Sequence, residues 1–445
     1  MTDTIAGRPF WRLIFDKDGD TDQQLVDTLA QERAALGITD LVMLSHGWNN
    51  GHDTAIRLYH RWFDLLAAHL GAERKVGFVG ILWPSQLWRD EPIPDLAPTR
   101  QPVEGGGAAA LEVTTPVSAG APTLEPEILA DLKSLFPDGA AQLDTIAQLL
   151  AGPPTHETAE QLFTELRSLH AATSEGFDDG ENPADEPGML DTDRAPEDLF
   201  TEFADKLADT GVEFESGGGE AGAVGDFVSR GLNGAKEALR QLSYWQMKNR
   251  AGVVGRVGLG PVVAKLAAGD SGVRVHLVGH SFGGRVVAYA LDGLGDAGGA
   301  PVKSITLLQG AFSRFAFTDA LPFRDGGGAL AGRLARLDGP LSVCFSSHDT
   351  ALGVMYPLAS LAARDDAAEA EDKLFRYRAM GSHGAFDSDR MPLEGAGTVY
   401  PFLTHRILNL DASEVVTAGD PPSGAHSDIF KTELAWVVAA AGGLT

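Results

Sequence analysis

Apolar residues along the chain fall into two alternating spacings. Residues 10–15 (FWRLIF), Asp40–Leu44 (DLVML), Val76–Trp83 (VGFVGILW), Val273–Val278, Val302–Leu308 and Leu341–Ser346 are short, mostly apolar runs. Runs of this length suit strands buried on both faces. Leu374–Met380 and Arg406–Leu410 are two further strand candidates. Between the runs, Thr21–Leu36 places Leu25, Val26, Leu29 and Leu36 at helical spacing, and Ala55–Leu70 is strongly amphipathic. Ala235–Arg250, Gly260–Ala268, Gly283–Leu294, Thr350–Ala363 and Ser427–Ala440 also read as helices. Strand–loop–helix–strand alternation predicts an α/β protein with a doubly wound, mostly parallel sheet.

The alternation stops between residues 86 and 244. Residues 90–126 are rich in Pro, Gly and Ala and predict a flexible linker. Amphipathic pieces follow at Glu127–Phe136, Ala140–Leu150, Glu157–His170 and Pro196–Ala208, separated by acidic, glycine-rich stretches. The pattern predicts a core of residues 1–85 and 245–445, with 86–244 as a mainly helical insertion or lid. Such an insertion covers an active site in some proteins and decorates the fold elsewhere in others.

Charge sharpens this division. The net charge is −27, and residues 86–244 carry 31 Asp and Glu against 9 Lys and Arg. That field disfavours nucleic acid and anionic membranes as partners; the acidity either serves solubility alone or also disfavours anionic substrates, which would leave a neutral or apolar small molecule. A single cysteine, Cys344, rules out an internal disulfide and a multi-cysteine metal site. The N-terminus has no basic start followed by an apolar run, and no stretch has the roughly 18 apolar residues of a membrane span. The expectation is a cytoplasmic protein.

Candidate chemistry centres on VRVHLVGHSFGG at 273–284. Gly-x-Ser-x-Gly between a strand and a helix is the nucleophile elbow, a sharp turn that tolerates only small flanking residues. Ser281 is therefore the candidate nucleophile, and it needs a base and an acid that orients the base. The acid should follow a later buried strand. Asp349, at the exit of LSVCFS, is the leading candidate and would also serve as a helix N-cap; Asp319 and Asp338 lack such a strand. The base should lie in a loop between the last strand and the closing helix. His426 fits best, His383 is the alternative, and His405 adjoins the run RILNL. Two backbone N–H groups should receive the developing oxyanion: that of Phe282, and that of Trp48 in the His-Gly turn after DLVML. His46, His52 and His60 do not have the spacing of a metal site, and GRVGLGP at 255–261 is not in a phosphate-loop context. No cofactor or metal is expected.

With these motifs in place, the chain resembles α/β-hydrolase fold serine hydrolases over roughly residues 8–85 and 245–440. More narrowly, HGWNN, the later Trp83-Pro84-Ser85, HLVGHSFGG, Asp349–Leu352 and the late Gly-x-His-Ser resemble bacterial families of that fold with unassigned function. The resemblance implies Ser281, Asp349 and His426 as a triad, with Trp48 and Phe282 as oxyanion donors. It implies hydrolysis of an ester or thioester, with an amidase or peptidase as the alternative. A non-catalytic interaction protein on the same scaffold is the other competing reading. An aspartate nucleophile, needed by epoxide hydrolases and dehalogenases of this fold, is missing at position 281.

Overall fold

The short apolar runs pair side by side into one large sheet. The computed structural model describes residues 3–88, 118–119, 123–153, 155–173, 195–196, 198–201, 205, 213–214, 223–268, 272–295, 300–355, 375–420 and 423–445. The strands are β1 (Asp3–Ile5), β2 (Arg8–Ile14), β3 (Asp40–Ser45), β4 (Val76–Leu82), β5 (Ser118–Ala119), β6 (Glu213–Phe214), β7 (Arg274–His280), β8 (Val302–Leu308), β9 (Leu341–Phe345), β10 (Asp389–Pro392) and β11 (Ile407–Asp411). Nine of them form one sheet in the order β1-β2-β4-β3-β7-β8-β9-β11-β10; β5 and β6 make a separate parallel pair. Only β1 and β2 pair antiparallel in the large sheet.

Side chains alternate across a strand, so a sheet covered on both sides needs two apolar layers. Leu41 and Met43 of β3 enter one cluster, and Val42 and Leu44 enter the other. The helices α1 (Gln23–Ala35), α2 (His52–Ala67), α3 (Pro126–Leu135), α4 (Ala140–Leu150), α5 (His156–Thr173), α6 (Ala223–Val253), α7 (Gly260–Ala267), α8 (Phe282–Gly293) and α9 (Thr432–Ala441) divide between these layers. Val26 of α1, Val263 of α7 and Val286 of α8 belong to the first cluster; Trp62 of α2 and Val438 of α9 belong to the second. The amphipathic stripe of α2 buries Ala55, Leu58, Tyr59, Trp62, Phe63 and Leu66 at spacings of three and four. Phe63 stacks on Phe78 of β4 at 4.5 Å.

The strand order reverses beside β3: the chain runs on to β4 on one side and resumes with β7 on the other. Loops leaving the carboxyl ends of two such neighbours diverge and leave a crevice, the usual ligand position in open α/β sheets. Ser45 and Gly279 are register partners at this point.

The helical segment is not a separate body at its C-terminal end. Leu132 of α3, Ile146 of α4, Leu166 of α5 and Leu239 of α6 share a cluster with Val286 of the core. Helix α6 runs unbroken through the 244/245 division read from the sequence. A π-helical turn, Val254–Leu259, then joins it to α7. GRVGLGP spans this turn and the start of α7, and its first and last glycines serve close helix packing. A Cβ on Gly260 would lie 2.6 Å from the Ala290 carbonyl oxygen, and one on Gly255 would lie 3.0 Å from Tyr289 Cβ.

Several sequence expectations shift. Residues 375–380 are not a strand of the sheet. Their alternating aromatic and basic residues mimic strand spacing, but their backbone bonds go to the loop at 310–314: Arg314 N–H donates to Arg378 O (3.1 Å) and Met380 N–H to Phe312 O (2.9 Å). A helical turn, Met380–His383, follows. Of Thr350–Ala363, a π-helical turn forms at Ala351–Met355 and the rest lies outside the described residues, as does most of the linker and of the acidic stretches. β1 and β10 carry no strand signal in the sequence pattern, and the parallel β5–β6 pair lies within 86–244, where the pattern predicts linker and helices only. Among the described residues no helix is long and apolar enough to cross a membrane.

Candidate active site

The elbow is built as its composition requires. β7 ends at His280, and Ser281 turns the chain with φ 54° and ψ −124° before α8 begins at Phe282. A non-glycine residue in this region is strained, and such strain persists only where the surroundings over-determine it. The Ser281 N–H donates to Leu308 O at 3.1 Å, and Ser281 O accepts from the N–H groups of Gly284 and Ala311 at 3.0 Å each. A Cβ on Gly283 would overlap the Ser45 carbonyl oxygen, and one on Gly279 would overlap Gly283. Both flanking glycines are therefore required by contact with backbone that cannot give way.

Asp349 and His426 approach from neighbouring strand exits. Asp349 follows β9, and His426 sits in the loop between β11 and α9. An antiparallel bridge joins Asp349 to Gly424, and Ala425 N–H donates to His348 O at 2.9 Å. Gly424 has φ 57°, and a Cβ there would lie 2.5 Å from His348 O. The loops can touch only because this residue is glycine.

The three side chains form one continuous chain of hydrogen bonds. Ser281 Oγ–H donates to His426 Nε2 at 2.8 Å, and His426 Nδ1–H donates to Asp349 Oδ2 at 2.8 Å. Ser281, Asp349 and His426 are 3%, 1% and 8% exposed. Little water competes for these bonds, while His426 stays within reach of the surface. Asp349 Oδ1 also accepts from Leu352 N–H at 3.0 Å, so the capping role coexists with the bond to histidine.

The two turns after β3 and β4 clamp each other beside the serine. Asn49, at φ 57°, accepts from the N–H groups of Leu87 and Trp88 at 3.0 Å each and donates to Trp88 O at 2.6 Å. Asn50 N–H donates to Ser85 Oγ at 3.2 Å, and Asn49 N–H donates to Ser85 O at 2.9 Å. His46 stacks on Trp83 at 5.5 Å; its Nδ1–H donates to Gly47 O at 3.0 Å, and Nε2 accepts from Trp83 N–H at 3.3 Å. This network gives HGWNN and Trp-Pro-Ser a structural purpose: they fix the Gly47–Trp48 peptide. A Cβ on Gly47 would lie 2.6 Å from Ser281 Cβ and 3.2 Å from Ser281 Oγ. The peptide thus runs flush against the hydroxyl. Among the described residues neither the Trp48 nor the Phe282 N–H has a protein acceptor.

Helix α6 reaches the same place from the inserted segment. Tyr244 packs on Phe282 at 4.5 Å and on Trp48 at 5.6 Å between ring centroids, and Trp48 meets Phe282 edge-on at 5.9 Å. Trp88 Nε1–H donates to Ser243 Oγ at 2.9 Å, and Arg240 lies 4.7 Å above the Trp88 ring. Tyr244 was not singled out from the sequence, because nothing local marks an aromatic residue in an amphipathic helix as belonging to a site.

His383 lies elsewhere. It is half-buried, its Nδ1 bonds with Ser382 Oγ at 2.8 Å, and it lines a cavity of about 290 Å³ with Arg314, Arg390 and Asn409. Burial, reinforced by Arg378, Arg314 and Arg390, pushes its pKa down to about 4. His405, at φ 60°, is exposed just before β11 rather than within it. Asp319 is exposed in a loop, and Asp338 pairs with Lys303 at the surface. Of the upstream histidines, His52 is exposed beside Asp53 and His60 packs edge-on against Phe10. Among the described residues no group of three or more His, Cys, Asp or Glu is placed to hold a metal ion. Cys344 is fully buried, which pushes its pKa up to about 12, so the thiol has no nucleophilic form near neutrality.

Comparison of the chain with protein-family models, with curated proteins and with solved structures returns no match.

Proposed function

We propose that this protein is a serine hydrolase of the α/β-hydrolase fold that cleaves a carboxylic ester or thioester through an acyl-enzyme. The observation that carries the reading is the unbroken chain from Ser281 Oγ through His426 to Asp349, with 2.8 Å at each link. The strained elbow and the parallel sheet order around β3 support it.

The chemistry follows from the protons. His426 Nε2 accepts the Ser281 proton as Oγ attacks the acyl carbon. The buried Asp349 carboxylate, bonded to His426 Nδ1, offsets the imidazolium charge that results. The oxyanion forms between the N–H groups of Trp48 and Phe282, the two peptides that flank the Ser281 hydroxyl. His426 then returns the proton to the departing alcohol or thiol. A water, deprotonated by the same nitrogen, attacks the acyl carbon; the bond to Ser281 Oγ breaks, His426 returns the proton to Oγ, and the acid leaves. The half-buried rings of Trp48 and Tyr244, which pack on the buried Phe282, favour a neutral, apolar group beside the reacting carbonyl. Amide hydrolysis would use the same atoms and is tested by the same variant.

The test is turnover of a short p-nitrophenyl ester by wild type and Ser281→Ala. Loss of turnover in a folded Ser281→Ala protein is the expected result. Unchanged turnover overturns the reading.

A further inference from the structure

We propose that Gln309 is a positioning residue of this site: its single amide nitrogen holds the acid and the base-bearing loop at once. The inference rests on the serine-hydrolase reading and concerns how the triad is kept in register.

Gln309 leaves β8 in a left-handed conformation, φ 48°, and is 2% exposed. Its N–H donates to Cys344 O at 2.9 Å, and Gly381 packs so closely against its backbone that a Cβ there would overlap it. The backbone is thus held where an unbranched side chain reaches forward between two strand exits. There, Nε2 donates to Asp349 Oδ2 at 3.3 Å and to Ala425 O at 2.8 Å. Both neighbours accept and neither can donate, so the amide has one orientation: nitrogen toward the triad. A flipped amide would point lone pairs at a carboxylate and a carbonyl.

The oxygen side of the amide tells the other half. Gln309 Oε1 is buried with no hydrogen-bond partner among the described residues. A buried orphan acceptor destabilises the fold, so this side chain is a poor choice for stability alone. Its two donors, by contrast, are both spent on the site. One fixes the oxygen of Asp349 that orients His426 Nδ1. The other fixes the peptide immediately before His426. The next carbonyl is fixed as well, because His280 Nε2–H donates to His426 O at 2.9 Å. Consecutive carbonyls of the base loop are therefore gripped by side chains from the two strand exits nearest Ser281.

Gln309→Met separates positioning from structure, since it keeps length and an unbranched Cβ while removing the donors and the orphan oxygen. We expect its melting temperature to equal or exceed that of wild type, and its kcat for a p-nitrophenyl ester to fall by up to about 100-fold. We also expect the pH profile of kcat/KM to differ from that of wild type, because the removed donor touches the acid that orients the base. Gln309→Glu is the second variant, in case the methionine protein does not fold. Its neutral acid has one proton to donate, and its ionisation sets two carboxylates face to face, so a titration missing from wild type should appear in kcat. Wild-type kcat and pH profile in either folded variant overturn the proposal. So does a Gln309→Met protein whose melting temperature falls while its kcat and profile hold. Ser281→Ala, run alongside, distinguishes the failures. If it retains turnover, the serine reading falls and this inference with it; if it is inactive while the Gln309 variants behave as wild type, only this inference falls.

Discussion

Asp349→Asn removes a charge while keeping the shape of the side chain, and the bonds Asp349 makes decide the outcome. Three donors converge on Asp349: His426 Nδ1–H at 2.8 Å and Gln309 Nε2–H at 3.3 Å on Oδ2, and Leu352 N–H at 3.0 Å on Oδ1. A carboxylate satisfies all three, but asparagine has one oxygen. If its NH2 faces Leu352, the cap is lost at a cost of about 1–3 kcal/mol in stability. If its NH2 faces His426, the ring must accept at Nδ1 and carry its proton on Nε2, where it cannot take the Ser281 proton. In either orientation the imidazolium formed during attack loses its ionic partner. For a triad of this geometry the loss in kcat is roughly 10⁴-fold, or about 5 kcal/mol of transition-state stabilisation. The assay is kcat on a p-nitrophenyl ester near neutral pH, with a thermal melt of the same preparation. A variant that melts within a few degrees of wild type and keeps more than a tenth of its kcat would refute the role given to Asp349.

Gly47→Ala should preserve the fold and lower kcat by about 10²–10³-fold, the worth of one oxyanion donor. The new Cβ, placed 2.6 Å from Ser281 Cβ, pushes the Gly47–Trp48 peptide away from the hydroxyl. Unchanged kinetics would remove Trp48 from the oxyanion site. Acid should erode stability through His383, whose pKa falls from 6.5 to about 4 on folding. A depressed histidine is neutral in the fold, so its contribution is intact above about pH 6.5 and is lost as pH falls through about 4. The full shift corresponds to roughly 3 kcal/mol, which solvent screening of this half-buried ring reduces to about 1–2. Urea midpoints should therefore fall less between pH 6.5 and 4 in His383→Gln than in wild type; parallel curves would contradict the linkage. Trp88→Phe should loosen α6 over the site by removing the bond to Ser243. We expect faster amide hydrogen exchange around Tyr244 and a raised KM, and wild-type exchange there would dismiss the anchor.

Some of this architecture was legible along the chain because its causes are local. Gly279, Ser281 and Gly283 announce the elbow, since only small residues fit against the Ser45 carbonyl. Asp349 and His426 were found as residues at the exit of a buried strand and before the closing helix, and hydrogen bonds join these two to Ser281. The less legible features depend on partners far along the chain. Gln309 is a lone polar residue after β8 until Asp349 and Ala425 fold onto it. Tyr244 is one aromatic of a helix until Phe282 arrives beneath it. Gly255 and Gly260 of GRVGLGP meet the α8 backbone and Gly258 meets Gly19 and Phe15, none of which a window around the motif contains. Residues 375–380 misled because period-two spacing describes side chains, while strand membership depends on which backbone is free to pair.

The central claim is that Ser281 is an activated nucleophile. The most direct measurement is the intact mass of the protein after exposure to a fluorophosphonate, with peptide mapping of the adduct and Ser281→Ala as the control. The account predicts one adduct per chain, located on Ser281, formed in wild type and missing from the folded variant. A folded wild-type protein that acquires no adduct, or acquires it on another residue, would contradict it.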